Sequence, residues 1–424
     1  MLLDVTALLA TSANLTGVVE AFDVPGNSPI ATVASHTLTT AQVAFQASLD
    51  QVAAAPVVAS AGSVVAPVTR SVTPVSTAIT AASSVPVALP AAGPDPVVGP
   101  QPDGIDAPAA VTRAPITRLP AMSGMPLLQQ LGLLDRSTLA RYASGHAAQL
   151  AALVAHQPAA AEVQSWWSGL PGAQRSAMAA DAPSLVGNLE GLPYGVRNAA
   201  NRLSLSRAEA AIRTQLDAGV GRATADELEH RLHMLAQVRT SLTPGSSHIP
   251  RTLVALDPTG AGTAVIMIGD ATTADYVDYV IPGMFSSIDG QLVGFTTGTD
   301  RIVSDQQAWL KRLQPDDTPT VAAVAWIGYH TPNLANVASL DLAEQGQASL
   351  TASIQGLRAV REGHQPYLSV LAHSYGSTTA MIALQRNDIS VDALAVFGSP
   401  GAPATSVDEL HVTGGNVWVG AAQW

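Results

Sequence analysis

The residues best suited to chemistry form the run His373–Gly376, between the apolar segment 367–372 and a stretch of helix formers. A serine that attacks a carbonyl stands on a sharp strand-to-helix turn, which has room only for small residues two positions before and two positions after it. Ala372 and Gly376 meet that requirement, and no other serine in the chain has this spacing between a strand and a helix. The pattern predicts that Ser374 is the nucleophile of an acyl-transfer reaction.

Seven short β-branched runs after Pro250 provide the elements that would position Ser374. Helix-forming segments and Gly/Pro/Asp turns separate them, which is typical of a mostly parallel sheet with flanking helices. Ser374 follows the fifth run, where the nucleophile stands in the α/β-hydrolase plan. The predicted strands cover residues 252–256, 263–268, 276–281, 321–326, 367–372, 393–397 and 416–420.

The loop after the third predicted strand is the candidate oxyanion site. In the α/β-hydrolase plan this loop supplies one backbone N–H to the developing negative charge, and the residue after the nucleophile supplies another. Pro282-Gly283 permits a tight turn there, so the predicted donors are Tyr375 and Met284, or Phe285 in place of Met284. The alternative is an ordinary Pro-Gly turn with no catalytic role.

Composition divides the 424 residues into three parts. Residues 1–122 are rich in Ala, Val, Pro, Ser and Thr, which predicts a low-complexity and largely disordered N-terminal segment. Residues 123–247 carry regularly spaced apolar residues among helix formers and predict a helical module, whose protein partner the sequence does not identify. Residues 248–424 contain all seven runs and predict the α/β domain.

Charge and residue usage exclude several classes of partner. The net charge is −12 with no basic run to neutralise phosphates, which argues against nucleic acid, and prolines interrupt the apolar stretch 52–68, which argues against membrane insertion. The chain has no cysteine, so any nucleophile must be an oxygen. His230 and His233 lie at i and i+3 of a predicted helix without a matching carboxylate, so neither a metal nor a cofactor is expected. Without a secretory leader the protein is expected to be cytoplasmic, with export by another route left open.

The acid and histidine partners of Ser374 are not evident. In the α/β-hydrolase order they follow the seventh and eighth strands, whereas the chain reaches Trp424 directly after the seventh run. Asp408 and His411 would have to share one short loop, and His330 follows the fourth strand. We therefore expect a domain truncated at its C-terminus and impaired in activity, because a serine without a general base is a weak nucleophile.

The C-terminal two thirds of the chain resembles an actinobacterial α/β-hydrolase family, a domain of unknown function related in fold to esterases and lipases. The family's first elbow glycine is Ala372 here, which still leaves the turn sterically possible. The resemblance implies an esterase-like serine hydrolase. It is carried by Gly269-Asp270, Ala274-Asp275, Pro282-Gly283, Trp326–Tyr329, His373–Ser377 and Phe397–Gly401, and upstream by Trp166–Leu170, Val186–Pro193 and Arg197–Arg202.

Functions of different classes are compatible with these observations. The first is a serine hydrolase that cleaves a small-molecule carboxylic ester, or an amide, through an acyl-enzyme at Ser374 and without a cofactor. The alternative is a non-catalytic α/β-hydrolase-like module that binds a partner, which the missing acid and histidine favour. A related hydrolase domain attached to mycobacterial surface proteins would share the chemistry and differ in localisation. Trp167-Ser168-Gly169 also resembles the turn of small helical-hairpin secretion substrates.

Overall fold

The computed structural model describes residues 112–333, 335–386 and 388–420. Most of the segment predicted to be disordered therefore lies outside the described residues. Its final part is described, and Ile116–Ala121 form a 3-10 helix in which Leu119 is fully buried. The helical core thus begins a few residues before 123.

The described residues before the sheet contain eight α-helices, as the helix-forming composition predicts. Their leucines, including Leu127, Leu128 and Leu131, form a core of their own. The side chain of Asp135 caps the second helix by accepting a hydrogen bond from the Thr138 N–H at 3.0 Å. The helices are α1 (Gly124–Gly132), α2 (Arg136–Gly145), α3 (Ala147–Ala155), α4 (Ala160–Gly169), α5 (Gly172–Asp181), α6 (Pro183–Val186), α7 (Tyr194–Asp217) and α8 (Arg222–Ser241).

Seven described strands form one sheet in the order β1-β2-β4-β3-β5-β6-β7. The pairs β1-β2 and β2-β4 are antiparallel, and the remaining four pairs are parallel. The predicted mostly parallel sheet is therefore confirmed, with every predicted strand end within one residue of the observed end. The strands are β1 (Arg251–Asp257), β2 (Thr263–Ile268), β3 (Tyr276–Ile281), β4 (Val321–Ile327), β5 (Tyr367–His373), β6 (Ala393–Phe397) and β7 (Val417–Gly420).

Helices cover both faces of the sheet. On one face α9 (Ile288–Leu313) packs beside α7 and α8, whose apolar residues share a core with β1, β2 and β4. On the other face α10 (Asp341–Val360) and α11 (Tyr375–Leu384) bury the opposite side chains of β3, β4 and β5. α7 and α8 therefore share a core with the sheet, whereas the earlier helices have the separate core described above. The division of the chain at residue 247 stays a prediction.

Asparagine side chains from the helical region cover the outer edge of β1. Asn188 pairs with Leu256 as a strand would, accepting from its N–H at 2.9 Å and donating to its carbonyl oxygen at 3.0 Å. Asn198 accepts from the Leu253 N–H at 3.0 Å, and Asn201 donates to the Leu253 carbonyl oxygen at 3.2 Å. Backbone groups that an edge strand would leave open are thereby satisfied.

Candidate active site

Ser374 stands between β5, which ends at His373, and α11, which begins at Tyr375. Its backbone has φ 51° and ψ −129°, a region that almost only glycine adopts. The strained conformation is held on both sides: the Ser374 N–H donates to the Phe397 carbonyl oxygen at 2.8 Å, and the Ser377 N–H donates to the Ser374 carbonyl oxygen at 2.9 Å. The sequence predicts a sharp strand-to-helix turn at this serine, and the structure has one there.

Two glycines allow the loop after β3 to cross directly beside Ser374. A β-carbon added at Gly376 would lie 2.3 Å from the Pro282 carbonyl oxygen, and one added at Gly283 would lie 2.6 Å from the Ser374 Cβ. Both distances are too short for real atoms, so neither position accepts a side chain without movement. The requirement for a small residue at Gly376 therefore has a specific cause, the close approach of the Pro282 carbonyl.

The structure places the predicted oxyanion donors on the two sides of the serine turn. Tyr375 is the first residue of α11, so its N–H has no acceptor within the helix. The Phe285 N–H donates to the Pro332 carbonyl oxygen at 2.9 Å and is occupied. Within the part of the chain that the structure describes, the Met284 N–H has no backbone acceptor. Of the two alternatives in this loop, Met284 is the available donor.

Side chains from the loop after β4 fasten the loop after β3. The Tyr329 hydroxyl donates to the Pro282 carbonyl oxygen at 2.9 Å, and the Thr331 hydroxyl donates to the Ser286 carbonyl oxygen at 2.8 Å. Phe285 has a φ of 61°, unusual for a bulky residue. The loop that carries Met284 is therefore held from both ends, and this was not evident from the sequence.

The loop after β6 contacts the first turn of α11 through hydroxyl groups. The Ser377 hydroxyl donates to the Ser374 carbonyl oxygen at 2.5 Å, and its oxygen lies 2.6 Å from the Ser399 hydroxyl oxygen. The Thr378 hydroxyl donates to the Gly401 carbonyl oxygen at 2.6 Å. These contacts explain why Phe397–Gly401 belongs with the site, a connection that the sequence indicated only through the family resemblance.

Comparison with known proteins agrees with this geometry. Residues 257–423 match the family described as Alpha/beta hydrolase. This part of the chain is similar to α/β-hydrolases. The resemblance inferred from the sequence motifs is thereby confirmed.

Curated relatives of this chain come from mycobacteria. An uncharacterized protein of Mycobacterium tuberculosis is 31% identical over 286 residues, covering 62% of this chain and 43% of the relative. An uncharacterized protein of Mycobacterium bovis is 26% identical over 189 residues, covering 43% of this chain and 70% of the relative. The chain thus spans less than half the length of the Mycobacterium tuberculosis relative. A solved esterase structure aligns with a TM-score of 0.21 and 15% identity over 45% of this chain and 55% of that chain.

The histidines of the hydrolase domain lie in different places. His411 Nδ1 is 2.6 Å from the Arg386 carbonyl oxygen, and the His411 N–H donates to the Leu384 carbonyl oxygen at 2.8 Å. These contacts place His411 at the C-terminal end of α11, whose ten residues put it about 15 Å from Ser374 at the other end. His330 is exposed after β4. No described contact joins His411 or His330 to the Ser374 hydroxyl.

His373 lies next to Ser374 and close to the loop after β6. A β-carbon added at Gly398 would lie 3.8 Å from the His373 Nε2. Desolvation by neighbouring protein atoms lowers the pKa of the His373 imidazole, although the residue is exposed at the surface. Within the described residues no histidine is hydrogen-bonded to the Ser374 hydroxyl. The expectation that the acid and histidine lie beyond Trp424 stays a prediction.

His230 and His233 both face a carboxylate that the sequence did not reveal. His233 Nδ1 is 2.6 Å from Asp289 Oδ1, and His230 Nδ1 is 3.8 Å from Asp289 Oδ2. His233 Nε2 also lies 3.1 Å from the Gln237 amide nitrogen, so both of its ring nitrogens have partners. Among the described residues, no cluster of three or more such groups could hold a metal ion. None of the described helices has the length and apolarity needed to span a bilayer.

Proposed function

We propose that the chain is a serine hydrolase that cleaves a small-molecule carboxylic ester through an acyl-enzyme at Ser374. The observation that carries the proposal is the backbone of Ser374, at φ 51° and ψ −129°, with Gly283 close beside its hydroxyl. Strained conformations of this kind persist where the surrounding structure holds them, and they cluster at active sites.

The proposed mechanism uses three groups, the Ser374 hydroxyl and the N–H groups of Met284 and Tyr375. The Ser374 oxygen attacks the ester carbonyl carbon, and the carbonyl π electrons move onto oxygen to form a tetrahedral intermediate. The N–H groups of Met284 and Tyr375 would stabilise that negative charge, and loss of one such donor typically removes about 3–4 kcal/mol of transition-state stabilisation. Collapse breaks the bond to the alkoxide, which takes up the proton that the Ser374 hydroxyl lost on attack and leaves as the alcohol. Water then attacks the acyl-enzyme, releases the carboxylic acid and returns its second proton to the Ser374 oxygen. We assign no general base, because no described histidine is hydrogen-bonded to Ser374.

A fluorophosphonate probe tests the proposal, because it phosphonylates an activated serine in the absence of the natural substrate. The 424-residue chain, its Ser374→Ala variant and a Ser176→Ala control are incubated with the probe and analysed by intact mass. Ser176 is exposed on α5, so its replacement leaves the site unchanged. Labelling that is lost in Ser374→Ala and kept in Ser176→Ala supports the proposal. Labelling that persists in Ser374→Ala refutes it.

The competing function is a non-catalytic α/β-hydrolase-like binding module. The observation that favours it is the lack of a hydrogen-bonded histidine at Ser374 among residues 112–333, 335–386 and 388–420. It predicts that the folded chain is not labelled and that p-nitrophenyl acetate and butyrate hydrolyse at the same rate with and without the protein. A Ser374-dependent rate with either ester would rule it out.

A further inference from the structure

We propose that Tyr329 is a positioning residue that fixes the oxyanion loop beside Ser374, an inference that rests on the proposed hydrolase function. Tyr329 is the last residue of the Trp326–Tyr329 motif, and its side chain is buried. Its hydroxyl donates to the Pro282 carbonyl oxygen at 2.9 Å. The hydroxyl therefore acts on the peptide group directly before the one that carries the Met284 N–H.

The Pro282 carbonyl is the point at which the loop can be oriented. Proline has no N–H, so this carbonyl is the only hydrogen-bonding backbone group of the residue. It lies between the Tyr329 hydroxyl and Gly376, where an added β-carbon would be 2.3 Å away. The bond to Tyr329 opposes rotation of the Pro282-Gly283 peptide plane. Such a rotation would turn the following peptide and move the Met284 N–H away from the oxyanion.

The phenol is itself held in place. The Tyr329 ring stacks on Trp326, with ring centroids 5.6 Å apart and an interplanar angle of 16°. A β-carbon added at Gly346 would lie 2.9 Å from the Tyr329 Cδ2, so α10 also packs closely against the ring. A hydroxyl on a fixed ring can hold a loop more accurately than a mobile one.

The protonation state of the phenol is suited to this role. The Pro282 carbonyl oxygen can only accept, so the tyrosine must keep its proton to serve as donor. Burial raises the pKa of the Tyr329 phenol well above its ordinary value. The hydrogen bond is therefore present throughout the pH range in which a hydrolase would work.

A second buried tyrosine provides a matched control. The Tyr279 hydroxyl donates to the Ser353 carbonyl oxygen at 3.0 Å, and the Tyr279 side chain is as deeply buried as that of Tyr329. Its acceptor belongs to α10 and not to the oxyanion loop. Changing either tyrosine to phenylalanine removes one phenol–carbonyl hydrogen bond, and at Tyr279 it also removes the contact of the hydroxyl with Ser353 Oγ at 3.3 Å. A larger loss of kcat in Tyr329→Phe than in Tyr279→Phe would then be due to the loss of the bond to the Pro282 carbonyl oxygen.

The experiment compares ester hydrolysis, fluorophosphonate labelling and urea unfolding for the wild-type chain, Tyr329→Phe and Tyr279→Phe. We expect Tyr329→Phe to lower kcat and the labelling rate about tenfold to a hundredfold, with KM within about twofold, because a misplaced donor affects mainly the transition state. Tyr279→Phe should lower kcat less than about twofold. Its urea midpoint should shift by about as much as that of Tyr329→Phe. Equal losses of kcat in the two variants, or a change confined to KM, would overturn the proposal.

Two further outcomes are separable. A wild-type chain that shows no Ser374-dependent labelling or hydrolysis contradicts the hydrolase function itself, and the role of Tyr329 with it. If Tyr329→Phe does not fold, Thr331→Val takes its place, because it removes the neighbouring tie to the Ser286 carbonyl oxygen. A kcat loss in Thr331→Val with unchanged KM supports loop positioning from the β4 side, and an unchanged kcat counts against it.

Discussion

The N–H of Ser374 donates to the carbonyl oxygen of Phe397 at 2.8 Å, so the end of β6 holds the turn at Ser374 from the neighbouring strand. His373 and Phe397 are paired in register in the parallel ladder, and the turn begins one residue later. The strained backbone of Ser374 is thus supported by a contact formed across the sheet. Four predictions follow from this and other contacts.

Replacing Ser374 by glycine should stabilise the fold while removing the nucleophile. Glycine adopts the backbone of Ser374 without the strain of about 1–3 kcal/mol, although the greater freedom of glycine in the unfolded chain offsets part of the gain. We expect the free energy of unfolding to rise by about 1 kcal/mol. Ser374→Ala keeps the strain and should change it by less than about 0.5 kcal/mol. Urea unfolding distinguishes the two, and equal stabilities would show that the turn is not strained.

Gly283→Ala should block the serine hydroxyl. The added β-carbon would lie 2.6 Å from the Ser374 Cβ and 3.1 Å from its Oγ, so the loop or the serine must move. We expect labelling by the fluorophosphonate probe to slow more than about tenfold. Gly195→Ala, on α7 with no atom within 4 Å of the added carbon, should label at the wild-type rate. Similar labelling rates for Gly283→Ala and Gly195→Ala would mean that the loop after β3 moves aside at little cost.

Asn201→Asp should destabilise the protein far more than Asn198→Asp. The Asn201 amide donates to three carbonyl oxygens, those of Gly187, Leu253 and Val254, and a carboxylate cannot donate to any of them. We expect a loss of at least about 3 kcal/mol, because a buried charge would face only acceptors.

Asn198 is the matched control, because its side-chain oxygen accepts hydrogen bonds whereas the Asn201 amide group donates them. The Asn198 oxygen accepts from the Leu253 N–H at 3.0 Å and from the Arg202 guanidinium at 2.9 Å, and a carboxylate accepts equally well. Asn198→Asp should therefore stay within about 1 kcal/mol of the wild type in urea unfolding. Comparable losses in both variants would contradict this account of the β1 edge.

Asp278→Asn should remove a pH dependence of stability. Burial raises the pKa of the Asp278 carboxyl to about 6, against hydrogen bonds from Gln306 and Ser369 that lower it. Between about pH 4 and pH 6 the folded protein therefore binds more protons than the unfolded chain, so stability falls as pH rises through this window. The difference amounts to about 2–3 kcal/mol by pH 7.

Unfolding free energies measured at about pH 4.5 and pH 7 check this expectation. Relative to the wild type, Asp278→Asn should gain stability at the higher pH and gain little at the lower. Asp316→Asn, at an exposed position of the loop after α9, should follow the wild type at both values. A constant difference between Asp278→Asn and the wild type would show that Asp278 does not titrate in this range.

The strands and the serine turn could be predicted because each leaves a local pattern. Buried parallel strands require runs of apolar residues, and β4 is buried at all seven positions. The turn at Ser374 requires small residues at fixed offsets, which Ala372 and Gly376 supply. Both signals are contained within about ten residues of sequence, so periodicity and spacing detect them.

The contacts that fasten the site could not be predicted, because they join distant side chains to backbone groups. Tyr329 reaches Pro282 across 47 residues, and Asn188 reaches Leu256 across 68. Every residue has a backbone carbonyl oxygen, so the residue type does not show which carbonyl accepts the hydrogen bond. Likewise, the apolar face of α8 has the same pattern whether it meets a helix or a sheet.

The asparagine side chains that cover the edge of β1 determine where a shortened fragment of the protein can begin. A fragment that begins at Pro250 would lose Asn188, Asn198 and Asn201 and would present a bare strand to solution. Such edges pair readily with other chains, so this fragment should form β-rich aggregates. A fragment made for expression, or for transfer of the domain between genes, should therefore begin upstream of Gly187. A fragment cut at the boundary suggested by composition should aggregate.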